Sequence, residues 1–209
     1  MTEMLPKDMA CEGSARLGSS KMRRKALLMG GFSLWAASIS IPLGLFSAAH
    51  QAVLPVAQQS LRAASAVGDD WSLVHVVAED CACSRSVMDY LVERGVSSDY
   101  SEEVILVGGG ETFASRLEAA GFSVSEVEAE QLCSVSGAEG VPFFQVARGA
   151  EEPSYSGAYF ASAFRGGNGF LDLSTADRLA AGGLVLSRPV YGCPTSERLK
   201  SILDPFGLK

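Results

Sequence analysis

Between Ala26 and Ala49 the sequence ALLMGGFSLWAASISIPLGLFSAA runs about 24 residues without a charged side chain. A helix that crosses a bilayer needs roughly 20 predominantly apolar residues, so this run is long enough to span. Lys21, Arg23, Arg24 and Lys25 stand directly before it. Positive charge at one end of a span marks the cytoplasmic side. The expectation is a single-pass inner-membrane anchor, N-terminus inside, with everything beyond His50 outside, in the periplasm of a bacterium. Ser47-Ala48-Ala49 would suit a signal peptidase, but the apolar run exceeds the roughly 7–15 residues of a secretory core segment, which favours an uncleaved anchor. Pro42 is tolerated in a spanning helix.

The expected organisation is a cytoplasmic segment over residues 1–25, the anchor over 26–49, a small-residue and polar linker over 50–70, and a globular domain over 71–209. Residues 1–20 read as disordered, and the linker as partly helical around Ala57 to Ala66. The net charge of −7 comes without a basic stripe after the anchor, which gives nucleic-acid binding no support. Cys11 falls on the reducing side of the membrane. Cys81, Cys83, Cys133 and Cys193 fall on the side where thiols tend to be oxidised.

From Trp71 onward, short apolar runs alternate with helical patterns. WSLVHVVA, EVILVGGG, FSVSEVEA, VPFFQVAR and YSGAYF read as strands. SRSVMDYLVERG places Val87, Met88 and Leu91 at helical spacing before Gly95. ETFASRLEAAG is a second helix, and EQLCSVSGAEG a turn or two of a third. This alternation predicts an α/β sheet with parallel strands under helical crossovers. Further on, STADRLAAGG reads as a helix, LVLSRPV as a strand, and CPTSERLKSILD as the last helix with Pro194 at its first position.

The chemistry-bearing stretch is AEDCACSRS, residues 78–86. Cys81 and Cys83 stand at a strand-to-helix junction, where helix amides and the dipole stabilise a thiolate. Arg85 adds positive charge, while Glu79 and Asp80 oppose it. Positions i and i+2 point to nearly opposite sides of a helix, so Cys81 must precede the helix for the two sulfurs to meet. Their small disulfide ring would be strained and easily reduced. A metal clip, or two inert buried cysteines, are the other readings of the pair. Pro142 opens an apolar strand, which fits either an edge strand or a cis bond. His75, mid-strand, reads as a satisfied core histidine. Gly108-Gly109-Gly110 lacks phosphate-loop spacing and reads as a tight turn; RGGNG (165–169) reads as a surface loop. Cys133 reads as a small core residue and Cys193 as a cysteine near the last helix's start, with a Cys133–Cys193 disulfide possible.

Taken together, WSLVHVVAEDCACS, the segment GAEGVPFF and the anchor resemble the thioredoxin superfamily, in particular its membrane-anchored, extracytoplasmic TlpA/ResA-like branch. The resemblance covers residues 71–160 and the anchor. It implies a thioredoxin-like mixed sheet flanked by helices, a cis-proline at Pro142 facing the cysteines, and an insertion between residues 111 and 127. The chain departs from the family norm in spacing its cysteines as Cys-x-Cys and in placing Asp80, not an aromatic residue, before the first. The implied activity is thiol–disulfide exchange with protein thiols or disulfides, without a bound cofactor. Cys81 would attack, Cys83 resolve, Pro142 shape the substrate groove and Arg85 tune the thiol. Two alternatives stand beside it. Cys81 and Cys83 could offer soft sulfurs to copper, with His75 or Cys133 completing the site, or the fold could serve as a redox-inert interaction module.

Overall fold

The computed structural model describes residues 18–50, 52–57, 59, 61, 69–149, 152–160 and 169–203. Cys11, the rest of the polar N-terminal stretch through residue 17, the linker beyond Leu61 as far as residue 68, and residues 165–168 of the glycine loop lie outside them. The chain divides into two compact units, Met1–Phe46 and Ser47–Lys209.

Helix α1 (Gly18–His50) contains one stretch, Met22–Leu45, long and apolar enough to cross a membrane. Its apolar side chains, Leu27, Leu28, Phe32, Leu34, Ile41 and Leu43 among them, are exposed. A helix that is apolar all round, with no amphipathic stripe, suits a lipid surrounding better than water. Pro42 lies within the helix.

The second unit is a mixed α/β structure. Five strands, β1 (Trp71–Val77), β2 (Ser101–Val107), β3 (Ser123–Val127), β5 (Phe143–Arg148) and β6 (Tyr155–Gly157), form one sheet in the order β3-β2-β1-β5-β6. The sheet is mixed and flanked by helices, as expected, and the parallel strands read from the alternation make up its first half. β1, β2 and β3 run parallel, joined through α2 (Ala82–Arg94) and α3 (Glu111–Ala119). β5 lies antiparallel to β1, with Val76 opposite Phe143, and β6 is antiparallel to β5. The short connection from β5 to β6 has no room for a crossover, which leaves only antiparallel pairing.

β1 is buried on both faces, and its alternation divides the core in two. Leu73 and Val77 join Val87, Met88 and Leu91 of α2, Leu117 of α3, Tyr155, Tyr159, and Ala176 and Leu179 of α5 (Asp172–Ala180). Val74 and Val76 face the other way, toward Leu132 of α4 (Ala129–Ser136), Phe143 and Cys81. The stretch expected to be a linker contributes Leu54, Ala57 and Leu61 to this second cluster, and Val190 joins from the far end of the chain. The Leu54 amide donates to the Val190 carbonyl at 2.9 Å. Gln145 ties the same stretch to β5, accepting from the Leu61 amide at 2.8 Å and donating to the Gln59 carbonyl at 3.0 Å. One face of the sheet is thus closed by helices, and the other largely by chain from the two ends of the unit.

Two expectations for the last third need correction. LVLSRPV forms no strand beyond the Leu54–Val190 bridge; Leu184 and Leu186 are 91% and 87% exposed and bring no apolar face to the sheet. Pro194 does not open the last helix. It belongs to a two-residue strand, β7 (Cys193–Pro194), paired antiparallel with β4 (Gly140–Val141). The final helix α6 (Glu197–Leu203) starts after Ser196, whose hydroxyl accepts from the Leu199 amide at 3.2 Å as an N-cap does.

Candidate functional site

Cys81 lies before α2, as the helical geometry requires. It is the N-cap residue, in an extended conformation (φ −92°, ψ 117°), and no side chain caps the helix there. Its amide donates to the Ala78 carbonyl at 3.2 Å, and its carbonyl accepts from the Arg85 amide at 3.0 Å. The turn drives the Cys81 side chain into the core, where it is 1% exposed and its sulfur lies 3.9 Å from the Val141 carbonyl oxygen.

The sulfur's partner is not Cys83. Cys81 is disulfide-bonded to Cys193, with a Cα–Cα distance of 5.8 Å across 112 residues of sequence. Cys83, one position into α2, is a half-buried free thiol. Two positions along a helix start carry the side chains apart, and β7 brings Cys193 to the side where Cys81 already points. Cys133 is likewise free and half-buried on α4, so the Cys133–Cys193 bond does not form.

Pro142 stands where the resemblance placed it, and the Val141–Pro142 bond is cis. The residue before it pairs with the disulfide: Val141 is opposite Cys193 and Gly140 opposite Pro194. The ladder continues through the Thr195 amide, which donates to the Glu139 carbonyl at 2.8 Å. Two glycines permit this close approach. A side chain at Gly192 would overlap the Val141 carbonyl oxygen and lie 2.9 Å from Pro142 Cδ, and one at Gly140 would run into Leu54. Glu139 anchors the segment beyond, accepting from the Ser196 hydroxyl at 2.5 Å and from the Arg198 guanidinium. Those two donors hold its carboxyl below the usual range.

Arg85 turns its Nε to the Glu79 carbonyl oxygen at 2.8 Å. It lines a shallow cleft with Glu79, Asp80 and Gly108 to Gly110. The three glycines all have positive φ, so this is a tight turn built from residues that tolerate it. A larger cavity, about 600 Å³, lies on the other side of Asp80. Ala78, Val107, Val141, Cys193 and Lys200 are among its lining residues.

His75 is a core histidine. Its Nδ1 lies 2.6 Å from the Tyr159 hydroxyl and its Nε2 2.9 Å from Glu102 Oε2. A carboxylate can only accept, so Nε2 carries the proton. Both ring nitrogens are therefore occupied, and His75 cannot complete a metal site with Cys81. Among the described residues no group of three or more His, Cys, Asp or Glu side chains is arranged to hold a metal ion.

His75 belongs to a largely buried polar cluster whose members are scattered along the sequence. Arg94 Nη2 bridges Glu102 at 2.5 Å and Asp172 at 3.1 Å, and Tyr90 donates to Asp172 at 3.0 Å. Burial alone would raise the Glu102 carboxyl, but hydrogen bonds and charge from His75 and Arg94 outweigh it and hold it at about 2. Burial, with help from Asp172, raises the Tyr90 phenol. Burial above all raises Tyr159 well beyond the ordinary phenol range, which keeps its proton available to the histidine. The one sequence signal was Glu102-Glu103, an acidic pair at the head of an apolar strand.

No family model matches the chain, and no curated protein matches it. An uncharacterised conserved protein from Geobacillus kaustophilus, known from its crystal structure, superposes with a TM-score of 0.50 at 17% identity, over 70% of this chain and 92% of its own. A hypothetical protein from Sinorhizobium meliloti 1021 superposes with a TM-score of 0.48 at 17% identity, over 69% and 97%. The first of these likenesses bears on the fold alone.

Proposed function

We propose that this protein is a membrane-anchored thiol–disulfide oxidoreductase that acts outside the cytoplasmic membrane, in the manner of the thioredoxin superfamily's TlpA/ResA-like branch. Its redox couple is Cys81 with Cys193, and its substrates are protein thiols or disulfides. The observation that carries this reading is the position of the bond. One sulfur sits at the start of a helix, where a thiolate is stabilised. The other lies on a strand paired to the residue before a cis-proline. A parallel β-α-β half followed by an antiparallel pair, with the cis-proline opening the latter, agrees with the resemblance. The basic cluster Lys21, Arg23, Arg24 and Lys25, directly before the uncharged run that starts at Ala26, supports the N-inside anchor.

Titration of the full chain in detergent against glutathione or dithiothreitol buffers tests the proposal. A two-electron couple should appear on Cys81 and Cys193, be lost in Cys81→Ser and Cys193→Ser, and survive Cys83→Ser. A bond that remains intact across the whole range would make it a fixed staple and leave the interaction module as the better reading. Copper bound stoichiometrically by the reduced chain, and lost in Cys81→Ser and Cys83→Ser, would favour the metal reading instead.

A further inference from the structure

We infer that substrate exchanges with Cys193, and that Cys81 is the internal sulfur that leaves and returns. This reverses the roles the helix-start cysteine would suggest, and it rests on the redox couple proposed above. The two sulfurs of the bond are not equally reachable. Cys81 is 1% exposed, within the apolar cluster formed by Val74, Val76, Val141 and Phe143. Cys193 is partly exposed and lines the cavity of about 600 Å³, whereas Cys81 does not. Which sulfur of a disulfide is attacked depends on access and on how well the other sulfur leaves.

Both factors select the same direction here. An incoming thiolate enters the cavity between Ala78, Val107 and Lys200 and attacks Cys193 Sγ. A bond forms between the substrate sulfur and Cys193 Sγ, the Cys81–Cys193 bond breaks, and its electron pair departs on Cys81 Sγ. That sulfur is at the N-cap of a 13-residue helix that no side chain caps, and the dipole favours negative charge there. If the substrate is a dithiol, its second thiolate attacks its own first sulfur and expels Cys193. The products are a substrate disulfide and a protein dithiol, with the two substrate protons balancing the two protein thiols. In the opposite direction, the Cys193 thiolate attacks a substrate disulfide and Cys81 resolves the mixed disulfide.

This mechanism needs Cys193 to stay near Cys81 while their bond is broken. The limb that carries it has holds that do not involve sulfur. The β4–β7 ladder, the Thr195 amide on the Glu139 carbonyl, the Leu54 amide on the Val190 carbonyl, and Glu139 with Ser196 and Arg198 make no use of the disulfide.

The test uses the full chain in detergent with Cys83→Ser and Cys133→Ser, leaving the couple as its only cysteines outside the N-terminal segment. The oxidised protein is mixed with a blocked, uncharged tripeptide bearing one cysteine, quenched within seconds by N-ethylmaleimide, and mapped by mass spectrometry. The single-exchange product should carry the peptide on Cys193 and the maleimide on Cys81, in excess of about tenfold over the reverse. The reverse pattern, or an even mixture, overturns this inference and leaves the redox couple standing. No exchange product, with a bond that dithiothreitol also fails to open, overturns the couple itself. A second variant checks the route. Ser201→Trp, on the exposed α6 wall of the cavity, should slow peptide exchange about tenfold while leaving the equilibrium with dithiothreitol unchanged. An unaltered rate would show that substrate does not enter there.

Discussion

The two faces of the central sheet are closed by different means. On one, α2, α3 and α5 bring apolar side chains around a largely buried polar cluster, His75, Glu102, Arg94 and Asp172. On the other, the cover comes from Leu54, Ala57 and Leu61, α4 and the limb from Val190 to Leu203, and one disulfide joins that limb to β1's helix junction. The first closure is thermodynamically rigid, because buried ions must remain paired. The second contains a covalent bond that thiols can break. The two faces thus differ in what holds them, paired ions on one and a covalent cross-link on the other.

The largest test of this contrast is reduction. The bond closes a loop of 112 residues, so its loss should cost about 4–5 kcal/mol by the chain-entropy relation. Denaturant unfolding with and without dithiothreitol measures it. Hydrogen exchange on the reduced chain should rise in residues 54–57 and 190–203 and stay low in α2 and α5. A uniform rise over both faces would erase the distinction.

Arg94→Met attacks the other face. It leaves Glu102 and Asp172 buried without their shared cation, a loss of about 3–5 kcal/mol. The penalty should be the same in oxidised and reduced protein, since the two sites share no partner. Double-mutant analysis with Cys193→Ser should give additive effects.

Acid gives a somewhat smaller effect. Glu102 titrates at about 2 in the folded protein against 4.5 for a free carboxyl. Its folded value is the lower one, so the unfolded chain takes up the proton first. The stabilisation is complete above pH about 4.5 and is lost as pH falls toward about 2, on the order of 3 kcal/mol in all. Glu102→Gln should flatten the stability–pH curve within that window, and an unchanged slope would show that the cluster is not its source.

The smallest effect is expected at Cys83. Cys83→Ser should change stability by less than about 0.5 kcal/mol and leave the disulfide and its potential in place. A lost couple in that variant would restore Cys83 as a partner.

Much of the fold was legible in local pattern. The uncharged run, β1 to β3 with their helices, the glycine turn and Cys81 at a helix start all follow from residues close together in sequence. Pro142 was legible in part: its place at a strand start left an edge strand or a cis bond open, and only the family resemblance implied the cis bond. The linker was misread because Leu54, Ala57 and Leu61 are spaced among alanines and glutamines, and their burial depends on contacts with β4, β5 and Val190. Cys193 stood out, but GCPTSER resembles a helix start, and nothing local announces a two-residue strand.

By itself, the sequence determined that an apolar helix precedes an α/β unit, and that a cysteine meets a helix start near a proline-opened strand. Periodicity, charge and backbone restriction act over a few residues, and they suffice for those features. Only the tertiary structure decided which cysteine bonds to Cys81, and that Arg94 bridges Glu102 and Asp172. Both depend on segments distant in sequence meeting at a distance of a few ångströms. The ladder opposite Val141 brings Cys193 within bonding reach of Cys81, whereas Cys83, two residues away, is turned aside by the helix that Cys81 begins.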